Sequence, residues 1–338
     1  MIFLRKLIFS FLFFLIPFFV YADSGRSTIV MDVDSGRILY SKNSHEKRLI
    51  ASITKIMTCI VVLENSNIED EIVIGEEVLS MYGTNIYIEV GEKMKIKDLL
   101  YGLMLRSGND AAITLAVNTL GEEKFVAKMN ELATKIGMRD TLFQNPHGLD
   151  DKTKNVSTAY DMALLSLYAY KNRIYREIIS TKKYLAVSSL KSYSWYNRMN
   201  LLTQYKNCLG GKNGYTPKAG KTLVSYAGID DTVFTIVSLN DSDIYQNHKN
   251  LYKTFFSRYK TYVIIDKNKF YIDNSLINKK VYLKKSFSYV LSSDEVDKVT
   301  TLVYLYPFSK KSTLGEIQIR LKKEIIGKIY IYEKNKKK

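Results

Sequence analysis

Ile53, Ile56, Met57, Ile60 and Val61 fall at offsets of 0, 3, 4, 7 and 8, the spacing of a single apolar helix face. No other pattern constrains the chain as much, because such a face must be buried in the middle of a fold. Directly before it, Ser52 begins the tetrad Ser52-Ile53-Thr54-Lys55. On an ideal helix, at about 100° per residue, Ser52 and Lys55 lie about 60° apart and flank the stripe, at the rim of the core. A first-turn N–H has no partner inside its own helix, and the helix dipole favours negative charge there. A hydroxyl, a nearby amine and a free N–H are the parts of an acyl-transfer site.

The S-x-x-K tetrad alone says little, since Ser44, Ser180, Ser188 and Ser257 also stand three residues before a lysine. Two further elements follow in order. Ser107-Gly108-Asn109 precedes an alanine-rich helical run, Asp110–Leu120. Lys212-Asn213-Gly214 is expected to open a strand pair, and the β-branched runs Thr222–Tyr226 and Thr232–Leu239, separated by Gly228-Ile229-Asp230-Asp231, read as a hairpin. Order and separation match the three elements of penicillin-recognising serine enzymes. Nothing matches G-x-S-x-G or a Ser-His-Asp order, so His147 reads as a structural residue of a loop near the site. His45 and His248 read as surface residues.

Elsewhere, Ser27–Val33 and Ile38-Leu39-Tyr40 flank a Gly36 turn and read as a hairpin. Phe125, Met129, Leu132 and Ile136 form a second helical stripe that ends at Gly137, and Thr158–Tyr170 reads as another helix. His248–Arg258 is helical, and after about residue 261 the pattern alternates, as in Ile317, Ile319 and Leu321. The expected organisation is an α/β domain over 23–260 followed by a small all-β domain over 261–338.

Arg5 and Lys6, the apolar run Leu7–Val20 and the small residue Ala22 read as a secretory signal over 1–22. The expected location is therefore outside the cytoplasm, secreted or held at the wall or membrane surface. The chain carries 50 basic and 34 acidic residues, a net charge of +16, with 17 basic against 8 acidic residues in Thr261–Lys338. That surface suits anionic wall polymer or lipid, and export argues against nucleic acid. The lysine-rich end, Glu333 to Lys338, has no apolar stripe and predicts no stable membrane anchor. Cys59 and Cys208 make no disulfide framework, with two buried thiols or one bridge both open. Three histidines without clustered spacing predict no metal site, and no organic cofactor is expected.

The segment Arg48–Thr58 resembles the nucleophile region of the low-molecular-mass penicillin-binding proteins, the serine D-alanyl-D-alanine carboxypeptidases. The likeness continues through 105–112, Phe143–Leu149, 157–163 and 211–220, and covers roughly residues 25–258. It implies an α+β fold, an antiparallel sheet flanked by helices. It also implies that Ser52 attacks the carbonyl between the two terminal D-alanines of a peptidoglycan stem peptide. Lys55 takes its proton, its pKa lowered by burial and by Lys212, and Ser107 relays the proton to the leaving amine. Asn109 binds the substrate amide. The N–H groups of Ser52 and Tyr215 form the oxyanion hole. Lys212, Asn213, Gly214, Tyr215 and Thr216 hold the terminal carboxylate and backbone, and β-lactams act as inhibitors that trap Ser52.

Three departures stand out: Asn213 where the third motif usually has threonine, Asp243-Ile244-Tyr245 where relatives often have an arginine, and Ile50 where proline is common. Asn213 keeps open a catalytically degenerate protein that binds wall peptide or a partner. A DD-endopeptidase or transpeptidase would use the same apparatus. A β-lactamase-like enzyme is disfavoured by the lack of an E-x-x-L-N element and by the extra β region.

Overall fold

The structure is a computed structural model, and it describes residues 23–272, 280–306 and 313–333. The secretory signal expected over 1–22 and the last lysines, 334–338, lie outside the described residues.

The centre is a five-stranded antiparallel sheet. Strands β1 (Gly25–Asp32) and β2 (Ile38–Lys42) form the N-terminal hairpin. Strands β3 (Cys208–Thr216), β4 (Gly220–Ile229) and β5 (Thr232–Asp241) come much later in the chain. The spatial order is β2-β1-β5-β4-β3, which leaves β3 at an edge. The inner strands are buried on both faces, so they read as continuous apolar runs rather than alternating ones. Ile29, Met31, Val224, Tyr226 and Val237 face one core, whereas Val30, Leu223, Ala227 and Ile236 face the other.

The first core is built by α1 (Lys55–Asn65), α2 (Asn109–Leu120), α3 (Glu122–Lys135) and α4 (Ala159–Tyr170). The stripe that opened the sequence reading is its centre, because Ile53, Ile56, Met57, Ile60 and Val61 are all at most 1% exposed. Helix α4 starts where Thr158 accepts a hydrogen bond from the Asp161 N–H, a side-chain N-cap. The second core is closed by α5 (Ile244–Arg258) through Leu251, Tyr252 and Phe255. His248 on this helix is not at the surface. It is fully buried, with Nδ1 2.7 Å from Ser225 Oγ and Nε2 2.9 Å from Ser238 Oγ, so the sheet supplies a partner for each ring nitrogen. Burial lowers its pKa to about 4, which keeps the ring neutral.

The remaining strands pair in two groups. Strand β6 (Tyr259–Ile265) pairs with β8 (Phe287–Ser292), while β7 (Val281–Leu283), β9 (Val299–Leu305), β10 (Thr313–Leu321) and β11 (Glu324–Glu333) form a sheet in the order β7-β11-β10-β9. The alternation read from sequence buries Ile317, Ile319 and Leu321 in a core with Ile329 and Ile331. This region is joined to the central sheet. Arg37 clasps Glu295 with two hydrogen bonds of 2.6 and 2.9 Å, and donates a third to the Val290 carbonyl. Val290 packs into the α5 core.

Cys59 and Cys208 are free and buried. Burial raises both thiol pKa values, that of Cys208 to about 11, so neither is a ready thiolate at neutral pH. We expect a chromogenic thiol reagent to modify no cysteine in the native protein and both after denaturation. Rapid modification of either in the native state would contradict this packing.

Candidate active site

Ser52 does not sit in the α-helix proper. Residues Ala51–Thr54 form a single 3-10 turn that feeds α1. In a 3-10 turn residues three apart eclipse one another, so Lys55 is brought over Ser52 more closely than an α-helix would bring it. The turn is fixed on several sides. The Thr222 hydroxyl donates to the Ile50 carbonyl at 3.1 Å, and Asn155 Nδ2 donates to Thr54 Oγ1 at 3.0 Å. A Cβ on Gly214 would stand 2.7 Å from the Ser52 nitrogen, and one on Gly148 2.1 Å from the Ala51 carbonyl oxygen. Edge strand β3 and the 144–149 loop can therefore close on the turn only with glycine at these positions.

Lys55, expected at the rim of the core with burial lowering its pKa, is fully buried. Its Nζ lies 2.7 Å from Asn109 Oδ1, 2.5 Å from the His147 carbonyl oxygen and 3.3 Å from Ser52 Oγ. Both of the first two atoms are pure acceptors and consume N–H bonds. A neutral amine has two N–H bonds and one lone pair, so with both donated the lone pair is left for the serine hydroxyl. Burial, and then the charge of Lys212, hold the Lys55 pKa well below its ordinary value.

The second element is held by its own network. Asn109 is buried, with Oδ1 on Lys55 and Nδ2 donating to the Tyr82 carbonyl at 2.7 Å, and its backbone N–H donates to the Thr84 carbonyl. Its side-chain amide is thus directed at Lys55 and the 82–84 segment. Ser107 adopts a left-handed backbone conformation, φ 66°, at the end of a short π-turn, Gly102–Arg106.

The third element lies inside β3 rather than opening it, because the ladder with β4 already runs from Cys208. The strand begins at Cys208, four residues before the Lys212 at which the strand pair was expected to open. Lys212 is buried, and its Nζ donates to the Asn213 carbonyl at 2.6 Å. Burial, and next the charge of Arg198, lower its pKa to about 7. Thr216 is buried, and its hydroxyl donates to Asp150 at 2.6 Å. Tyr215 is exposed.

A cavity of about 470 Å³ is lined by Ser52, Thr84, Ser107, Arg198, Asn200, Asn213, Gly214 and Tyr215. Ser52, Ser107, Asn213, Gly214 and Tyr215 from the sequence reading thus meet in one space. Lys55, Asn109, Lys212 and Thr216 stand outside its wall. Thr84, Arg198 and Asn200 had no motif to mark them. The His147 carbonyl was also missed. It is aimed at Lys55 by Asn145, whose Oδ1 accepts from the N–H groups of His147 and Gly148. The His147 ring is held neutral, its pKa lowered to about 3 by burial and then by Lys55. No cluster of potential metal ligands occurs among the described residues.

Residues 21–243 match the family described as D-alanyl-D-alanine carboxypeptidase. A Bacillus subtilis relative, D-alanyl-D-alanine carboxypeptidase DacF, is 32% identical over 257 residues, which cover 73% of this chain and 66%, just under two thirds, of that protein. The D-alanyl-D-alanine carboxypeptidase of Streptomyces sp. strain K15 is 35% identical over 214 residues, covering 57% of this chain and 73% of the relative. Among solved structures, that of the D-alanyl-D-alanine carboxypeptidase DacD from Francisella tularensis superposes with a TM-score of 0.72 at 26% identity, over 92% of this chain and 93% of the other.

Proposed function

The chain belongs to the D-alanyl-D-alanine carboxypeptidase family, and from that premise we propose that it is an exported serine DD-carboxypeptidase that trims the terminal D-alanine from peptidoglycan stem peptides. The observation that carries this reading is the donor count at Lys55: two N–H bonds committed, a lone pair facing Ser52 Oγ, and a pKa held low.

In this mechanism Lys55 accepts the Ser52 proton as Oγ attacks the scissile carbonyl. The tetrahedral oxygen is stabilised by the backbone N–H groups of Ser52 and Tyr215, on the two segments that Gly214 allows to approach. Ser107, which shares the cavity with Ser52, passes the proton to the departing D-alanine amine. Water then attacks the acyl-Ser52 ester, with Lys55 again as the base. Asn109 is a positioning residue that orients the amine. Strand β3 at the sheet edge has main-chain groups that can pair with an extended substrate, and Asn213 and Tyr215 flank that path. No step calls for a metal or organic cofactor. A β-lactam enters as a substrate mimic and leaves a slowly hydrolysed ester on Ser52.

The proposed division is a secretory signal over 1–22, a catalytic unit over 23–260 and a β-rich unit over 261–338. No described helix is long and apolar enough to cross a membrane.

The test is covalent labelling by a fluorescent penicillin together with D-alanine release from a synthetic stem pentapeptide. Wild-type protein is expected to do both, and Ser52→Ala neither. Equal labelling of the alanine variant would reject Ser52 as the nucleophile. Labelling without D-alanine release from pH 7 to mildly alkaline conditions would favour a protein that binds wall peptide without turning it over.

A further inference from the structure

The sheet β7-β11-β10-β9 turns one face to a core and the other to solvent. Along β10 and β11, Ile317, Ile319, Ile329 and Ile331 point inward, where Ile264, Ile265 and Phe287 pack against them. The residues between them point outward. The outward face of an antiparallel sheet is ordinarily polar. This one carries tyrosines. Register places Tyr304 of β9 opposite Glu316 of β10, and Glu316 opposite Tyr330 of β11. Two residues further along β11, Tyr332 lies opposite Tyr282 of β7. A band of tyrosine therefore crosses the sheet, interrupted by β10 alone. Tyr282, Tyr304 and Tyr330 are 39, 41 and 49% exposed, open enough to meet a ligand.

Between the rings runs a row of polar side chains along β10. Gln318 Nε2 donates to Glu316 Oε1 at 2.8 Å, and Arg320 Nη2 donates to Gln318 Oε1 at 3.3 Å. Lys328 Nζ on β11 donates to the same Glu316 oxygen at 3.3 Å. These bonds hold a carboxylate, an amide and a guanidinium in a fixed array. Tyr304 and Tyr330 stand two strand spacings apart, about 10 Å, close to the length of a disaccharide.

Such a face fits a polysaccharide. A sugar ring has a flat side rich in C–H groups, which lies against an aromatic ring, and a rim of hydroxyls that both donate and accept hydrogen bonds. Tyrosine supplies a large rigid surface at small entropic cost. Glu316, Gln318 and Arg320 supply acceptors and donors for the rim. Lys284, with Nζ 4.0 Å from the Tyr332 ring centroid, joins Arg320 and Lys328 in making the border positive. Glu316 in the middle of the row repels a phosphate-dense polymer or lipid surface, whereas the border matches the sparse carboxylates of wall peptides.

We propose that this face binds the glycan backbone of peptidoglycan and tethers the enzyme to the polymer whose stems it trims. The choice of occupant rests on the peptidase reading, in which each stem peptide hangs from a sugar chain. The site itself shares no residue with the Ser52 cavity.

The experiment titrates the protein with chitohexaose, a peptide-free chain of β-linked N-acetylglucosamine, by calorimetry, and sediments it with purified insoluble peptidoglycan at low and at high salt. Wild-type protein is expected to bind both, and to stay on peptidoglycan at high salt. Tyr304→Ala combined with Tyr330→Ala is expected to weaken chitohexaose binding about 30-fold, and the corresponding pair of phenylalanine substitutions to keep it within about threefold. Gln318→Ala, which removes no ring, is expected to weaken it about fivefold. Penicillin labelling stays at the wild-type level in all of these variants. A wild type that binds neither ligand, or an alanine pair that binds as well as wild type, overturns the proposal. Peptidoglycan binding that vanishes at high salt, with chitohexaose unbound, overturns it in favour of charge attraction to an anionic wall polymer. Tyrosine-dependent chitohexaose binding by a wild type that releases no D-alanine would support the glycan site and reject the peptidase reading.

Discussion

Replacing Lys55 by methionine is expected to lower penicillin acylation and D-alanine release by at least ~10³-fold while leaving a folded protein. Methionine has nearly the length and volume of the lysine stem, so the buried channel between α1 and the 144–149 loop stays filled. The amine alone is lost, and with it the lone pair that faces Ser52 Oγ at 3.3 Å. Two acceptors, Asn109 Oδ1 and the His147 carbonyl, lose their donor, and each costs about 1–3 kcal/mol if left unpaired. Against this, the variant no longer has to strip a proton from a buried lysine on folding. The two effects oppose each other, so the unfolding midpoint moves far less than the activity. Acylation of Lys55→Met at the wild-type rate would show that another group activates Ser52. Loss of activity with loss of the folded circular-dichroism signal would instead place Lys55 among structural residues.

Much of this arrangement is legible in the sequence, and the reason is locality. The stripe from Ile53 to Val61, the β1–β2 hairpin around Gly36 and the helix read over Thr158–Tyr170 are each decided within a few residues, and the structure agrees with them, with Thr158 as the N-cap of that helix. What escaped is decided by distant partners. His248 reads as a surface residue because nothing near it on α5 pairs with it, and its partners Ser225 and Ser238 lie on β4 and β5. Lys212 is expected to open a strand, but the strand starts earlier, at Cys208, and its Gly214 serves close approach to the Ser52 turn. Arg198 belongs to no motif, and only the fold brings it to Ser52. The 3-10 turn at Ala51–Thr54 is likewise set by tertiary contacts, from Thr222 and Asn155.

Lys212 carries the second large expected effect, in which stability and catalysis move in opposite directions. A lysine with a pKa near 7 in the folded protein and about 10.4 in the unfolded chain binds fewer protons when folded at every pH between those values. The unfolded state holds the extra proton, so wild-type stability rises with pH across that window and is lowest below pH 7. The deficit there is on the order of 3–5 kcal/mol, by the conversion of about 1.4 kcal/mol per pKa unit. Lys212→Met removes it. Urea unfolding is expected to show the variant more stable than wild type at pH 6, with the gain shrinking toward pH 10. At the alkaline end only the lost hydrogen bond to the Asn213 carbonyl remains, worth about 1 kcal/mol against the variant. In the same variant the charge that helps depress the Lys55 pKa is gone. Lys55 then holds its proton to higher pH, and the acid limb of the acylation profile moves toward alkaline pH. A stability difference that is the same at pH 6 and pH 10 would mean that Lys212 folds with its proton on. An unmoved acid limb would mean that its charge does not reach Lys55. Together, the expected outcomes would mark the buried lysine as a source of instability that the fold retains because it keeps the neighbouring amine neutral.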